Sequence, residues 1–401
     1  MNKTRLFRIG VLVLVGLWLT STLGAAVATS SAKVLTTASA QTAVASRDYT
    51  TLYTFDLQAF PGARVGPMAF REDGSVILDK VPLAGPGQFL TQSQVGIQSG
   101  KTRTWFLAQS GVLPRQAYAA SSKGQSIVWL ETKNTDLYYQ DWRLYSGTIG
   151  KPRALLLADS FSLLKTDQIP YPPGVATLST DGVNAWWVMV YPTKKAPRGW
   201  SARIMVRDVG AHHPLKIAVD GAMLPVAIAQ GLIYVRQKMV DPSMTSNHYE
   251  IRLLKNGFDT LLSSGPLIKD ETVLSICASN TVLAWAVHAP STTLRNAAVV
   301  TGSQLHVMTL ATKVQRLVNL DDDGWGLSLG CGTNFVAWGN GSGNGDPGQY
   351  VLNVPSGKIL KLGSMRGISM VQVAGDILAW PLPAKSAQVI PPWRVVKWHA
   401  V

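Results

Sequence analysis

The groups able to do chemistry in this chain are scattered, and few share the spacing that chemistry requires. Asp73, Asp181 and Asp376 occupy matching turn positions, and Asp321-Asp322-Asp323 forms a run. Paired carboxylates do acid–base work only at defined separations, whereas an Asp in a turn ordinarily caps its own backbone. The Asp run lacks the alternating acids and distant Glu of a calcium loop, so it reads as a solvated turn. His212, His213, His248, His288, His306 and His399 make no H-x-H or HExxH ligand spacing. There is no G-x-S-x-G elbow, phosphate-binding loop or dinucleotide fingerprint. No catalytic, cofactor-binding or metal-ligating residue is therefore assigned.

Cys277 and Cys331 sit in matching contexts, Cys277-Ala278-Ser279-Asn280 and Cys331-Gly332-Thr333-Asn334. A disulfide between them and two buried free thiols are both open readings. A zinc site is disfavoured, because no CxxC or His pair accompanies them.

These residues must be positioned by a repeated unit. A turn leading into a short apolar strand with an aromatic anchor recurs at roughly fifty-residue intervals. The anchors are Ile77, Trp129, Trp186 or Trp187, Tyr234, Trp285, Trp338 and Trp380. Period-two strands follow each anchor, as in Tyr249-Glu250-Ile251-Arg252-Leu253 and Ile359-Leu360-Lys361-Leu362. This predicts an all-β protein, a single β-propeller of about seven four-stranded blades, with six as the alternative because of long insertions between Leu83 and Gly100. Labelled A to D outward from the channel, the strands of the last copy lack a D member. The orphan segment Tyr49 to Phe55 is expected to supply it and close the ring, since an open edge would otherwise remain. Aromatics repeated at one structural place are expected to pack between blades rather than stack on a sugar.

The first 28 residues have the layout of a signal peptide, with cleavage as late as residue 40. Lys3, Arg5 and Arg8 precede an apolar stretch from Ile9 to Leu23, and small-residue sites follow at Ala26-Val27-Ala28 and Ala38-Ser39-Ala40. An uncleaved membrane anchor is the alternative, the stretch being only slightly short of a spanning helix. Residues 29–47, rich in Ala, Ser and Thr, read as a flexible spacer, and residues 48–401 as the propeller.

With 46% hydrophobic and 15% charged residues, the 401-residue chain has ample core-forming material. Its net charge of +14 suits an exported protein lying against anionic wall polymer or lipid headgroups. No nucleic-acid-binding motif accompanies that charge.

The turn Leu178-Ser179-Thr180-Asp181-Gly182-Val183-Asn184-Ala185-Trp186 resembles the S-P-D-G element of TolB-like propellers, related in pattern to WD40-like repeats, and Phe70 to Ile77 is a weaker match. The other turns depart from it. The resemblance implies a propeller fold; its relatives include envelope scaffolds, propeller domains of peptidases and metal-dependent sugar lyases. The functional expectation is an exported, non-enzymatic binding or scaffold protein of the cell envelope or exterior. It would be monomeric, need no cofactor, and recognise a protein or an anionic polymer through loops at its channel mouth. The alternative is an extracellular hydrolase or lyase acting on polysaccharide or peptide.

Overall fold

The computed structural model describes residues 34–399, apart from 57–59, 61, 84–91, 100–101, 107–114, 133–141, 161–176, 193–199, 239–245, 269–270, 289–302, 321–326, 340–347, 364–369 and 384–390. The stretch expected to be a signal peptide, Asp321 to Asp323 and most of the glycine-rich stretch 339–348 lie outside the described residues. Regular structure is almost entirely strand, arranged as seven antiparallel blades. The seven-bladed reading therefore holds over the six-bladed one.

The B strands explain the repeating sequence signal. Each is sandwiched between neighbouring blades, so both faces are covered and alternation gives way to a continuous apolar run. Val282–His288 is buried at every position, as are Phe335–Gly339 and Ile377–Pro381. Each seam between consecutive blades holds its own buried cluster, from Phe70, Leu78 and Trp393 between blades seven and one to Phe335, Val351 and Trp380 between blades six and seven. Trp129, Trp187, Trp285, Trp338 and Trp380 are at most 1% exposed. Burying one such ring removes about 200 Å² from water, on the order of 5 kcal/mol. The anchor of blade three is Trp187; Trp186 packs into the next seam, against the cluster of blades three and four.

Ring closure is made by backbone pairing of distant segments. Tyr49–Phe55 is the D strand of blade seven, antiparallel to Trp393–Trp398, from Tyr49 opposite Trp398 to Phe55 opposite Trp393. Tyr49 stacks on Trp398 at 6.1 Å and meets Trp380 edge-on at 5.6 Å.

The stretch expected as a spacer is partly built into the ring. Val34–Thr36 pairs in parallel with Gln315–Asn319, the D strand of blade five. Gln41–Thr42 does the same with Ile359–Gly363, the D strand of blade six. An outermost strand presents a row of unpaired N–H and C=O groups. A polar segment can satisfy them, because the pairing draws on backbone alone. Leu35 and Ala40 pack against the buried cluster of blades five and six, which gives the segment an apolar foothold.

Candidate binding channel and a buried carboxylate pair

The A strands surround a central channel with a cavity of about 1000 Å³, lined by residues of all seven blades. Its wall is mostly short side chains and backbone, with Ala119, Ser179, Ala227, Gly330 and Ala374 among them. Arg71, Glu72, Asp73, Lys123, Asp181, Asn280 and Thr333 line its turn end.

A girdle of hydrogen bonds runs round this channel, crossing every seam. Arg71 donates to the Gly124 carbonyl, and Lys123 pairs with Glu72. The Ser126 hydroxyl donates to the Gly182 carbonyl, and the Ala227 N–H to Ser179 Oγ at 2.8 Å. The Ala229 N–H donates to Asn280 Oδ1, the Thr281 hydroxyl to the Thr333 carbonyl, the Val371 N–H to Ser328 Oγ and Gln372 Nε2 to the Pro67 carbonyl. Inner strands of a ring have no outer edge on which to pair, so their tips are tied to the adjoining blade instead.

The acids singled out by sequence are spent on this scaffold. Asp73 Oδ1 accepts from the Ser75 N–H at 2.9 Å and the Ser75 hydroxyl at 2.6 Å, and its other oxygen pairs with Arg71 at 2.8 Å. Asp181 Oδ1 accepts from the N–H groups of Val183 at 2.8 Å and Asn184 at 2.7 Å. Gly182, at φ +92°, lies between them, and a Cβ there would meet the Lys123 carbonyl at 3.0 Å. Asp376 is exposed, and its own carbonyl accepts from the Trp398 N–H. Thus the structure brings Asp73 and Asp181 to the channel mouth as turn caps.

Cys277 and Cys331 are joined by a disulfide between the A strands of blades five and six, with Cα atoms 5.4 Å apart, and both line the channel. The histidines do not converge. His212 and His213 are exposed and bracket Asp208 at 3.0 and 3.4 Å. His306 stacks on Trp285 at 5.0 Å, and burial lowers its pKa to about 4. His399 meets Thr50, and His288 is buried.

A second polar cluster was missed by sequence reasoning. Glu131, on the B strand of blade two (Ser126–Thr132), is fully buried and accepts from Trp129 Nε1 at 3.0 Å. Asp79, on the B strand of blade one (Val76–Pro82), accepts from Ser93. Burial pushes Glu131 up to about 7, opposed by the Trp129 hydrogen bond and by Arg115 and Arg143, and the charge of Asp79 adds to the rise. Asp79 is raised to about 6, again by burial, against Ser93 and Arg64. Glu131 Oε2 and Asp79 Oδ1 have no hydrogen-bond partner among the described residues. A Glu within Val128-Trp129-Leu130-Glu131-Thr132 was the available signal: an acid where both strand faces are covered. Neither acid lines the channel.

No family model and no curated protein matches the sequence. Solved structures do. The β-propeller domain of the Trilobed protease from Pyrococcus furiosus aligns with a TM-score of 0.55 at 8% identity, over 85% of this chain and 94% of that one. An acylaminoacyl peptidase from Pyrococcus horikoshii gives 0.52 at 10% identity, and a puromycin-hydrolysing peptidase from Mycobacterium tuberculosis 0.50 at 14%. These two cover 86% and 85% of this chain, which spans 53% of the length of each. An oligogalacturonate lyase from Vibrio parahaemolyticus gives 0.50 at 10% identity, over 89% and 98% of the two chains. At these identities the likeness establishes a propeller and nothing finer.

Proposed function

We propose that this is an exported, non-enzymatic binding propeller of the cell envelope or exterior that takes a protein segment or an anionic polymer at the turn-end mouth of its channel. The observation that carries this reading is the state of the mouth. It opens on a roomy cavity, while its acids Asp73 and Asp181 are engaged in capping turns rather than set opposite each other. Acid–base glycoside hydrolysis would need two carboxylates facing each other across a cleft. Glu131, on which the charge of Asp79 acts, is buried, and neither acid lines the channel.

Retention of the purified protein on isolated envelope preparations tests the reading. Ala374→Trp, which places an indole on the channel wall, should lower that retention at least about tenfold, the loss of one well-made anchor contact. Its melting temperature should stay within a few degrees of the parent. Retention no greater than that of a control protein of equal net charge sinks the proposal. So does retention indifferent to the plug.

A further inference from the structure

We propose that the end of the ring formed by the A–B and C–D turns is a docking surface for a bilayer carrying anionic phospholipid headgroups. This rests on the envelope placement above and goes beyond it in naming the face and the partner; the channel mouth opens on the same end, so whatever it takes would come from the docked surface.

The basic charge that looks scattered in sequence is gathered at one end of the fold. Every blade from the second to the seventh places an exposed lysine at or beside its C–D connection: Lys151, Lys216, Lys255, Lys313, Lys358 and Lys397. None of these lysines lies within ion-pairing distance of a described carboxylate. At the A–B turns of this end Asp73 pairs with Arg71 and Glu72 with Lys123, Asp181 caps its own turn and Asp376 is exposed. Most acids at the C–D turns have partners of their own. Asp48 pairs with Arg47, Asp208 with His212 and His213, and Asp259 with Arg236 and Arg252. Six exposed lysines against few free acids leave this end with a net positive balance in an arc, Lys358 being the one that also acts on Asp48. A flat anionic surface can meet such an arc at many points at once.

Apolar side chains stand beside the same lysines. Phe258 is 77% exposed three residues after Lys255, Val314 54% exposed next to Lys313, and Ile217 50% exposed next to Lys216. Single exposed apolar residues are ordinary on any surface. Here they recur at turns of one end, each coupled to a cation, which is the composition of segments that sit in the headgroup region of a bilayer. A soluble polyanion would use the lysines but gain nothing from Phe258 and Val314.

The chain's path agrees. Val34–Thr36 runs parallel to Gln315–Asn319, whose first residue follows the C–D turn of blade five, so Val34 is the end of its strand toward this face. Residues 24–33 separate it from the apolar stretch ending at Leu23. Kept as an anchor, that stretch could stand at most about 35 Å from Val34, the reach of ten residues.

The test uses residues 33–401, which form one compact unit holding all seven blades. This removes the apolar leader as a source of binding. Co-sedimentation is measured with phosphatidylcholine vesicles, with and without phosphatidylglycerol, and with soluble poly-glutamate. Binding is expected to require phosphatidylglycerol and to fall with salt. Each lysine near an anionic surface contributes about a fivefold factor, so Lys255→Gln, Lys313→Gln and Lys358→Gln together should weaken vesicle binding roughly 100-fold. Phe258→Ser with Val314→Ser should weaken vesicle binding about tenfold and leave poly-glutamate binding unchanged. All five are exposed positions at or flanking turns, and unchanged melting temperatures confirm folded variants. Absence of salt-sensitive binding to the anionic vesicles overturns the proposal. Poly-glutamate binding as tight as vesicle binding, with no effect of the serine pair, overturns it in favour of a soluble polyanion. If vesicle binding fails while Ala374→Trp still lowers envelope retention, the docking face falls and the channel reading stands. The reverse pattern removes the channel reading alone.

Discussion

The seam between blades five and six and the seam between blades one and two solve the same packing problem differently, the second enclosing acids and an arginine that the first, among the described residues, lacks. The first is mainly apolar: Val282, Leu305, Val336, Trp338, Tyr350 and Leu352 fill it, His288 and Ser303 are the buried polar groups on or next to the same strand faces, a disulfide crosses it, and the segment around Leu35 and Ala40 packs against it. The second has an equally buried aromatic centre in Phe106, Trp129 and Tyr145, yet Glu131, Asp79 and Arg115 are enclosed beside it. A buried ion network contributes little net stability, because desolvation offsets most of the attraction. Two seams of similar shape should therefore differ in strength and in pH response. A repeated architecture does not imply repeated energetics.

The sharpest way to break this comparison is to open the ring. Deleting residues 41–57 removes the closing strand Tyr49–Phe55 and the strand on the outer edge of blade six. The remaining chain should melt far below the parent. With closure gone, amide exchange should stay slower on Phe335–Gly339, behind the disulfide, than on Val76–Pro82. Equal melting temperatures for the truncated and full chains would show that closure holds nothing. Equal exchange rates would erase the difference between the seams.

A smaller effect is expected from the cross-link alone. Cys277 and Cys331 are 54 residues apart, and closing a loop of that length stabilises by roughly 4 kcal/mol in the chain-entropy model. Reduction should lower the denaturation midpoint by a corresponding amount and leave far-ultraviolet circular dichroism unchanged. Thiol counting on denatured, unreduced protein gives the independent check; two free thiols per chain would remove the covalent half of the comparison.

Much of the contrast between these seams could not be seen in the sequence, although the ring itself could. Seven anchors at regular intervals, and a last copy without its outer strand, pointed to seven blades and to Tyr49–Phe55 as the missing member. Those signals survive because B strands are covered on both faces and must be apolar in every blade. Val34–Thr36 and Gln41–Thr42 carried no such mark. They pair through backbone on outer edges, which places almost no demand on side-chain type. The turn acids were legible as caps, since an Asp before Gly caps locally. The action of Asp79's charge on Glu131 was not. Each sits in a different blade, and one strand's alternation shows which face a side chain takes but not what faces it across a seam. The basic rim was invisible for the same reason: its lysines lie far apart in sequence and become neighbours only when the C–D turns gather at one end.

The charged seam also predicts a pH dependence whose sign can be worked out. Glu131 is held at about 7 in the fold, well above its ordinary value of 4.5, because burial favours the protonated form. The folded state then binds more protons than the unfolded chain between those values, so this residue's contribution is fully present at low pH. It is lost as pH rises from the unfolded value through about 7. The displacement corresponds to on the order of 3 kcal/mol across that window. Other carboxylates work the opposite way: Asp48 lies below its ordinary value, held there by Arg47, so the wild-type profile alone mixes both signs. The informative quantity is a difference. Glu131→Gln keeps the shape and an acceptor for Trp129 Nε1 but cannot ionise. Relative to wild type, its urea midpoint should rise steadily between pH 5 and pH 8 and level off above. A Gln variant whose offset from wild type is the same at both ends of that range would mean that Glu131 is ionised throughout, stabilised by Arg115 and Arg143. The seam of blades one and two would then be a paired ion network rather than one that holds a proton.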